Sequence, residues 1–181
     1  MKGFTVLAAD GSIKGVGATG ATGAAGAPGT GKLVQVVNTE TGAVATGTTL
    51  VPFDDTIPQN TEGDQYMTLA ITPTSATNKL RIEVIAFVSS GTSGGNWMTA
   101  ALFQDTTANA VAAMLAYMTV ANGSQLLAVT HYMTAGTTSA TTFKVRIGGL
   151  FAGTTTFNGT AGGRLLGGVM ASSITISELV P

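Results

Sequence analysis

The sequence predicts an all-β protein, an antiparallel β-sandwich head preceded by a short collagen-like stalk. Apolar and polar residues alternate with a period of two in several segments after Leu33, as in strands that bury one face. Before these segments, glycine recurs at every third position, which is the period that a collagen triple helix requires. These two patterns divide the chain into an N-terminal segment (1–16), a stalk (17–31) and a head (32–181).

The composition favours a multi-copy assembly and excludes several classes of function. Hydrophobic residues make up 44% of the 181 residues and charged residues only 9%, against about 25% charged in an average soluble domain. Such an uncharged surface usually lies in a subunit interface, although abundant Thr, Ser and Asn could also solvate it. The net charge of −1 and the scattered basic residues exclude a nucleic-acid footprint. The lack of cysteine excludes disulfides and thiol catalysis.

The stalk is predicted from an uninterrupted run of five glycine triplets. The glycines are Gly17, Gly20, Gly23, Gly26 and Gly29. Only glycine fits at the axis where three chains meet, so the pattern favours a triple helix and therefore a homotrimer. The tract is short and contains one proline, Pro28, so it needs trimeric neighbours to hold its ends together. The alternative is a flexible linker.

Strands of the head are predicted from clear alternation. Leu80–Val84 places Leu80, Ile82 and Val84 on one face, and Ile174–Ser177 alternates in the same way near the chain end. Phe143–Ile147 alternates with Lys144 and Arg146 outward. Ile85–Val88 is apolar on both faces, which is typical of a strand that meets the core on one side and a second surface on the other.

Turn residues separate these segments. Asn122-Gly123 and Asn158-Gly159 predict hairpin turns, because both residues tolerate positive φ. Residues 108–121 favour a helix by propensity, but the surrounding strand and turn spacing predicts a strand. About eight strands result, at the spacing of an all-β sandwich.

Several sequence segments carry a family resemblance. They follow the collagen-like tract and are residues 54–63, 101–105, 142–148, 162–168 and 172–176. Across residues 40–181 the chain resembles the C-terminal heads of bacteriophage tail-fibre-like and prophage structural proteins. This resemblance implies a jelly-roll sandwich similar to complement-C1q and tumour-necrosis-factor heads, which form trimers. It also implies a place on the virion and contact with host-surface glycans or proteins.

The N-terminal segment differs from that of a typical tail fibre, because only about sixteen residues precede the stalk. Attachment to the tail is expected, with attachment to the capsid as a head fibre or decoration protein as the alternative. Phe4, Val6 and Leu7 are candidates for an anchor to other virion proteins by strand addition, or they form a frayed terminus. No secretion signal and no membrane-inserted segment are expected.

Catalytic and cofactor chemistry is not predicted. His131 is the only histidine, and no Gly-x-Ser-x-Gly motif is present. The acidic residues Asp54, Asp55, Glu62 and Asp64 fall in one loop, where carboxylates are usually solvated, although hard cations also favour such clusters. No cofactor, metal site or enzymatic activity is therefore expected, and the absence of a convincing acid–base pair argues against a carbohydrate-active enzyme.

Three aromatic residues are candidates for receptor or trimer contacts. Trp97 is the only tryptophan and follows Gly94-Gly95-Asn96, at the expected start of a strand. Tyr117 and Tyr132 lie on later predicted strands. Aromatic side chains often anchor interfaces, but Trp97 could also belong to the core or the trimer axis, and the same alternatives apply to Tyr117 and Tyr132.

Overall fold

A computed structural model of the protein describes residues 31–181. Its regular elements are, in chain order, β1 (Leu33–Thr41), β2 (Ala45–Gly47), β3 (Asp64–Ile71), β4 (Lys79–Ser90), β5 (Asn96–Gln104), β6 (Ala112–Met118), β7 (Ser124–Thr134), β8 (Thr141–Gly149), β9 (Thr155–Phe157), β10 (Gly159–Thr160), β11 (Gly163–Arg164), a 3₁₀ helix (Leu166–Gly168) and β12 (Ser172–Leu179). The anchor candidates Phe4, Val6 and Leu7 and the stalk glycines at 17–29 lie outside the described residues.

Two antiparallel sheets face each other. The first has the order β1-β12-β4-β9-β2, with β7 on the other edge of β4, and the second has the order β3-β8-β5-β6. β4 is the central strand of the first sheet: one edge pairs with β12 and then β9, and the other edge pairs with β7. A short hairpin, β10-β11, packs beside the first sheet without joining its strand pairing. Residues 31–181 are thus all-β, which fits the predicted sandwich.

The core forms between the sheets from alternate residues of both. The first sheet contributes fully buried Leu80, Ile82, Ile174 and Ile176, among others. The second sheet contributes, among others, fully buried Leu102, Phe143 and Ile147. Their burial follows from the alternation in the sequence, because every second side chain of a strand points to the same face.

The strand predictions are confirmed, but the hairpin predictions are wrong. Residues 31–181 contain eight strands of seven residues or more, and Ala112–Met118 is one of them. Asn122 has φ 58° and Asn158 has φ 53°, as the Asn-Gly pairs predict. However, Asn122 connects β6 to β7, which lie in different sheets. Asn158 connects β9 in the first sheet to β10, which pairs only with β11. Each turn therefore redirects the chain between sheets.

Glu178, on β12, is a fully buried carboxylate that joins three segments. Gln35 Nε2 on β1 donates to it at 2.6 Å, and Asn78 Nδ2 donates at 2.7 Å. The backbone N–H and the hydroxyl of Thr74 each donate at 2.8 Å. These bonds hold the loop before β4 against the β1-β12 edge of the first sheet.

The described residues include no helix that is long and apolar enough to cross a membrane.

Candidate functional site, an aromatic cluster beneath a covering loop

The covering loop, residues 48–63 between β2 and β3, lies over the outer face of the second sheet. Near the start of the loop, the Val51 N–H donates to the Gly149 carbonyl of β8 at 3.0 Å. Further along the loop, the Pro58 carbonyl accepts a hydrogen bond from the Ala110 N–H at 2.9 Å. The loop passes so close to Gly148 that a Cβ there would collide with the Thr49 carbonyl. Glycine at this position therefore permits the contact.

Three aromatic rings pack together where the loop meets β5 and β6. Phe53, from the loop, stacks on Trp97 with 4.9 Å between ring centroids and 17° between planes. Tyr117 on β6 lies opposite Trp97 in the register, with its centroid also at 4.9 Å. Phe53 is 49% exposed and Tyr117 is 45% exposed. The cluster thus fixes three rings in place while leaving ring surface open to a ligand.

Two grooves flank this part of the loop. One has a volume of about 290 Å³ and a largely apolar wall that includes Phe53, Met114 and Leu115. The other has a volume of about 410 Å³ and runs between Asp54–Pro58 and Ala110–Ala113. Hydrogen bonds from the side chain and the backbone of Thr56 lower the pKa of Asp54, so its carboxylate remains charged at the groove edge.

The loop acids do not converge on a common point. Asp64 accepts hydrogen bonds from Thr49 N–H and Oγ1 at 2.9 and 2.8 Å, and Glu62 Oε2 accepts one from Gln59 N–H at 2.9 Å. Each carboxylate thus stabilises the loop backbone or a loop hydroxyl. Within residues 31–181 no group of three His, Cys, Asp or Glu side chains is placed to hold a metal ion.

The structure brings together two of the three predicted contact residues. Trp97 and Tyr117 share the aromatic cluster, whereas Tyr132 lies on β7 in the first sheet, 59% exposed, beside the Arg81 guanidinium at 5.9 Å from its ring centroid. Phe53 was not predicted. The only sequence signal is an aromatic residue between Pro52 and Asp54, which does not reveal that Phe53 meets a strand far along the chain.

The outer face of the first sheet is the second candidate surface. We call it the open face, and it consists of the outward side chains of β1, β12, β4 and β7. Val36, Ile85, Leu126 and Tyr132 are 45–59% exposed on it. Between them lie small polar residues of β12, such as Thr175, and the ion pair of Arg81 with Glu83. The exposed Glu40 and Lys79 lie on the same face, towards its edges. Several large apolar side chains exposed on one sheet face favour a protein partner over solvent.

Comparisons with known proteins give likenesses to solved structures. No family model and no curated protein matches the chain. Among solved structures, the enzymatically active domain of tailspike protein 4 from bacteriophage CBA120 aligns with 69% of this chain, at 16% identity and a TM-score of 0.26. The chain spans 19% of the length of that structure. A likeness at this TM-score assigns neither a fold nor an activity to the chain.

The likeness does correct one prediction. The sequence predicts a protein without enzymatic activity, yet the structure that it resembles is described as an enzymatically active domain. The prediction is therefore withdrawn. Experiments on saccharide binding by this protein should also measure whether the saccharide is cleaved.

Proposed function

We propose that the protein is a homotrimeric fibre or spike of a bacteriophage particle, attached to the tail, whose sandwich head contacts the host-cell surface. One observation carries the proposal: the period-three glycine tract leads directly into β1, at the edge of the first sheet. A triple helix in this tract would bring three copies of β1 to a common axis. Attachment to the tail rests on the family resemblance.

The position of β1 supports a trimer that forms through the open face. Leu33 and Val36 lie at the start of β1 and are 53% and 48% exposed. Three chains that leave a triple helix a few residues earlier would place these side chains near the neighbouring copies. The occupant of the open face is thus a second copy of the head.

The order of the long strands supports a jelly roll for each head. Counted along the chain, the first, eighth, third and sixth long strands form one sheet, and the second, seventh, fourth and fifth form the other. Eight strands in two facing sheets with Greek-key connections characterise the jelly roll. This architecture recurs in viral capsid and lectin domains.

The aromatic cluster supports the contact with the host surface. It lies on the second sheet, whereas the open face lies on the first, so a trimer formed through the open face leaves the cluster accessible. Exposed aromatic rings beside a groove can stack on saccharide rings or anchor a protein side chain. We therefore propose Phe53, Trp97 and Tyr117 as the host-contact residues.

Competition with phage adsorption tests this proposal. Purified protein should slow adsorption of the parent phage to host cells, and Phe53→Ala should reduce this effect because it removes one ring of the stack. Val169→Ala, at a side chain that is 86% exposed in the turn before β12, is the matched control and should compete like the wild type. Wild-type protein that neither binds cells nor slows adsorption would contradict the proposed host contact.

The same incubation tests for catalysis and for the place of attachment. The size of the host polysaccharide is measured before and after incubation, and a decrease would assign a hydrolytic role to the head in addition to binding. Immuno-electron microscopy of intact particles gives the attachment site. Labelling at the tail is expected, and labelling over the capsid would replace the tail fibre with a capsid-attached head fibre or decoration protein.

A further inference from the structure

A third groove lies beside the C-terminal end of the covering loop. It has a volume of about 240 Å³, and its lining includes Asn60, Gln65, Phe103, Asp105, Lys144 and Arg146. Lys144 and Arg146 are two residues apart on β8 and therefore point to the same, outer face of the second sheet. Gln65 lies opposite Arg146 in the register with β3, and Phe103 lies opposite Lys144 in the register with β5.

The two cations of this groove have no carboxylate partner in the described part of the chain. The one ion pair within residues 31–181 is Arg81 with Glu83, on the other sheet. Asp105 is close, but its carboxylate oxygens accept from Thr141 Oγ1 at 2.9 Å and from Thr142 N–H at 2.7 Å. Lys144 Nζ instead donates to the backbone carbonyl of Asp105 at 2.7 Å. The groove thus carries two positive charges against one negative charge.

Several donors of the two cations remain unassigned. Arg146 Nε donates to the Glu62 carbonyl at 2.8 Å, and Nη2 donates to the Gly63 carbonyl at 2.7 Å. A guanidinium has five N–H donors and an ammonium has three, so Arg146 keeps three donors and Lys144 keeps two. The bonds to the loop carbonyls fix the guanidinium in position, and a charged group held in this way is preorganised for a carboxylate.

We infer that this groove binds one carboxylate-bearing sugar unit of an acidic saccharide on the host surface. The charge balance and the free donors select an anion. The exposed amide of Gln65 and the Oδ1 of Asn60 can pair with the hydroxyls of a sugar ring, whereas Asn60 Nδ2 already donates to the Thr107 carbonyl at 3.1 Å. The volume is below the roughly 300–1,000 Å³ of pockets for drug-sized ligands, which fits a single sugar unit. The host surface as the source rests on the proposed function, whereas the recognition of a sugar carboxylate does not.

Calorimetric titration with matched saccharides tests the inference. Full-length protein is titrated with a galacturonic acid trisaccharide and with the neutral galactose trisaccharide. We expect the acidic ligand to bind at least tenfold more tightly, and this preference to shrink when NaCl is raised from 0.05 to about 0.5 M, because salt screens exposed charges. Equal affinity for both ligands, or no binding of the acidic ligand, would overturn the inference.

A pair of variants, each of which removes one positive charge, locates the site. Lys144→Gln should weaken binding of the acidic trisaccharide about tenfold or more, since it removes a charge-assisted hydrogen bond. Arg164→Gln is the control, because Arg164 is an exposed cation on β11, outside this groove and outside both sheets. Equal loss in both variants, or competition by inorganic phosphate at the same concentration as the sugar acid, would overturn the assignment.

The two proposals fail in different ways. If the protein slows adsorption but Lys144→Gln slows it equally well and binds the acidic trisaccharide as well as the wild type does, the host contact stands and the acidic site is wrong. If the acidic trisaccharide binds and depends on Lys144 while the protein has no effect on adsorption, the sugar-acid site stands and the proposed function is wrong.

Discussion

The ionised carboxylate of Glu178 stabilises the fold, because the hydrogen bonds that it accepts outweigh the cost of its burial. Its burial acts to raise the pKa, but the hydrogen bonds from Gln35, Asn78 and Thr74 outweigh that effect and lower the pKa from 4.5 to about 2. A carboxylate that is more acidic in the folded chain than in the unfolded chain stabilises the fold above pH 4.5. This contribution is lost as the pH falls from 4.5 towards 2.

Glu178→Gln tests that balance. We expect the variant to be less stable at pH 7 by about 1–3 kcal/mol, because an amide cannot accept all the hydrogen bonds that the carboxylate accepts. We also expect its unfolding midpoint to change less than that of the wild type between pH 5 and 2.5. Asp55→Asn, at an exposed residue of the covering loop, should behave like the wild type. Parallel pH profiles for Glu178→Gln and the wild type would contradict this account.

Asn158 and Asn122 share a positive φ but differ in burial, which separates backbone conformation from hydrogen bonding. Asn158 is fully buried. Its Nδ2 donates to the carbonyls of Thr41 and Ala43 at 2.6 and 3.2 Å, and its Oδ1 accepts from Ser172 Oγ at 2.6 Å. Asn122 is exposed.

Glycine at each position keeps the backbone conformation and removes the side chain. Asn158→Gly should lower the free energy of unfolding by about 1–3 kcal/mol, because it removes the hydrogen bonds of a buried side chain and leaves the buried Ser172 hydroxyl without its acceptor. Asn122→Gly should change it by less than about 0.5 kcal/mol, as is usual at exposed positions. Urea denaturation measures both, and similar values for the two variants would show that the asparagines serve only the turns.

At the scale of secondary-structure elements, the sequence predicts strands better than it predicts their partners. Alternation in Phe143–Ile147 and Ile174–Ser177 is a local property, and both segments are strands with the expected residues buried. The Asn-Gly pairs also specify a local property, the sign of φ, but not which sheet receives the next strand. The contact of Phe53 with Trp97 depends on the path of the covering loop, which carries no periodic pattern.

The covering loop can be followed through its one tryptophan contact. Trp97 is the only tryptophan of the chain and stacks on Phe53, so the tryptophan fluorescence comes from this cluster alone. Phe53→Ala should shift the emission to longer wavelength and increase quenching by acrylamide, because one face of the indole gains access to water. Tyr132→Ala, on the other sheet, is the control and should leave the emission unchanged. An unchanged spectrum in Phe53→Ala would mean that the loop does not cover Trp97 in solution.

At the scale of the whole molecule, the proposed trimer accounts for the low charge and the apolar open face together. Only 9% of the residues are charged, and Val36, Ile85 and Leu126 are exposed on one sheet face. Both features are explained if copies of the chain meet at that face. The low overall charge could be read from the sequence. The choice of face could not, because it depends on which strand lies at the edge of the sheet.

Charged substitutions on the open face test where the copies meet. Val36→Glu should convert the trimer to monomers or weaken it strongly, because three buried carboxylates would lie close together without partners. Val169→Glu is the control, since its side chain is exposed in the turn before β12, and it should leave the assembly intact. A trimer that persists in Val36→Glu would place the interface elsewhere on the head.

The mass of the native protein in solution tests the central claim most directly. Light scattering after size exclusion measures it without a standard for shape. The account predicts a mass near three times the 18.0 kDa of one chain. A mass of 18.0 kDa at micromolar concentration would contradict it, because the glycine tract would then be a linker and the open face would need another partner.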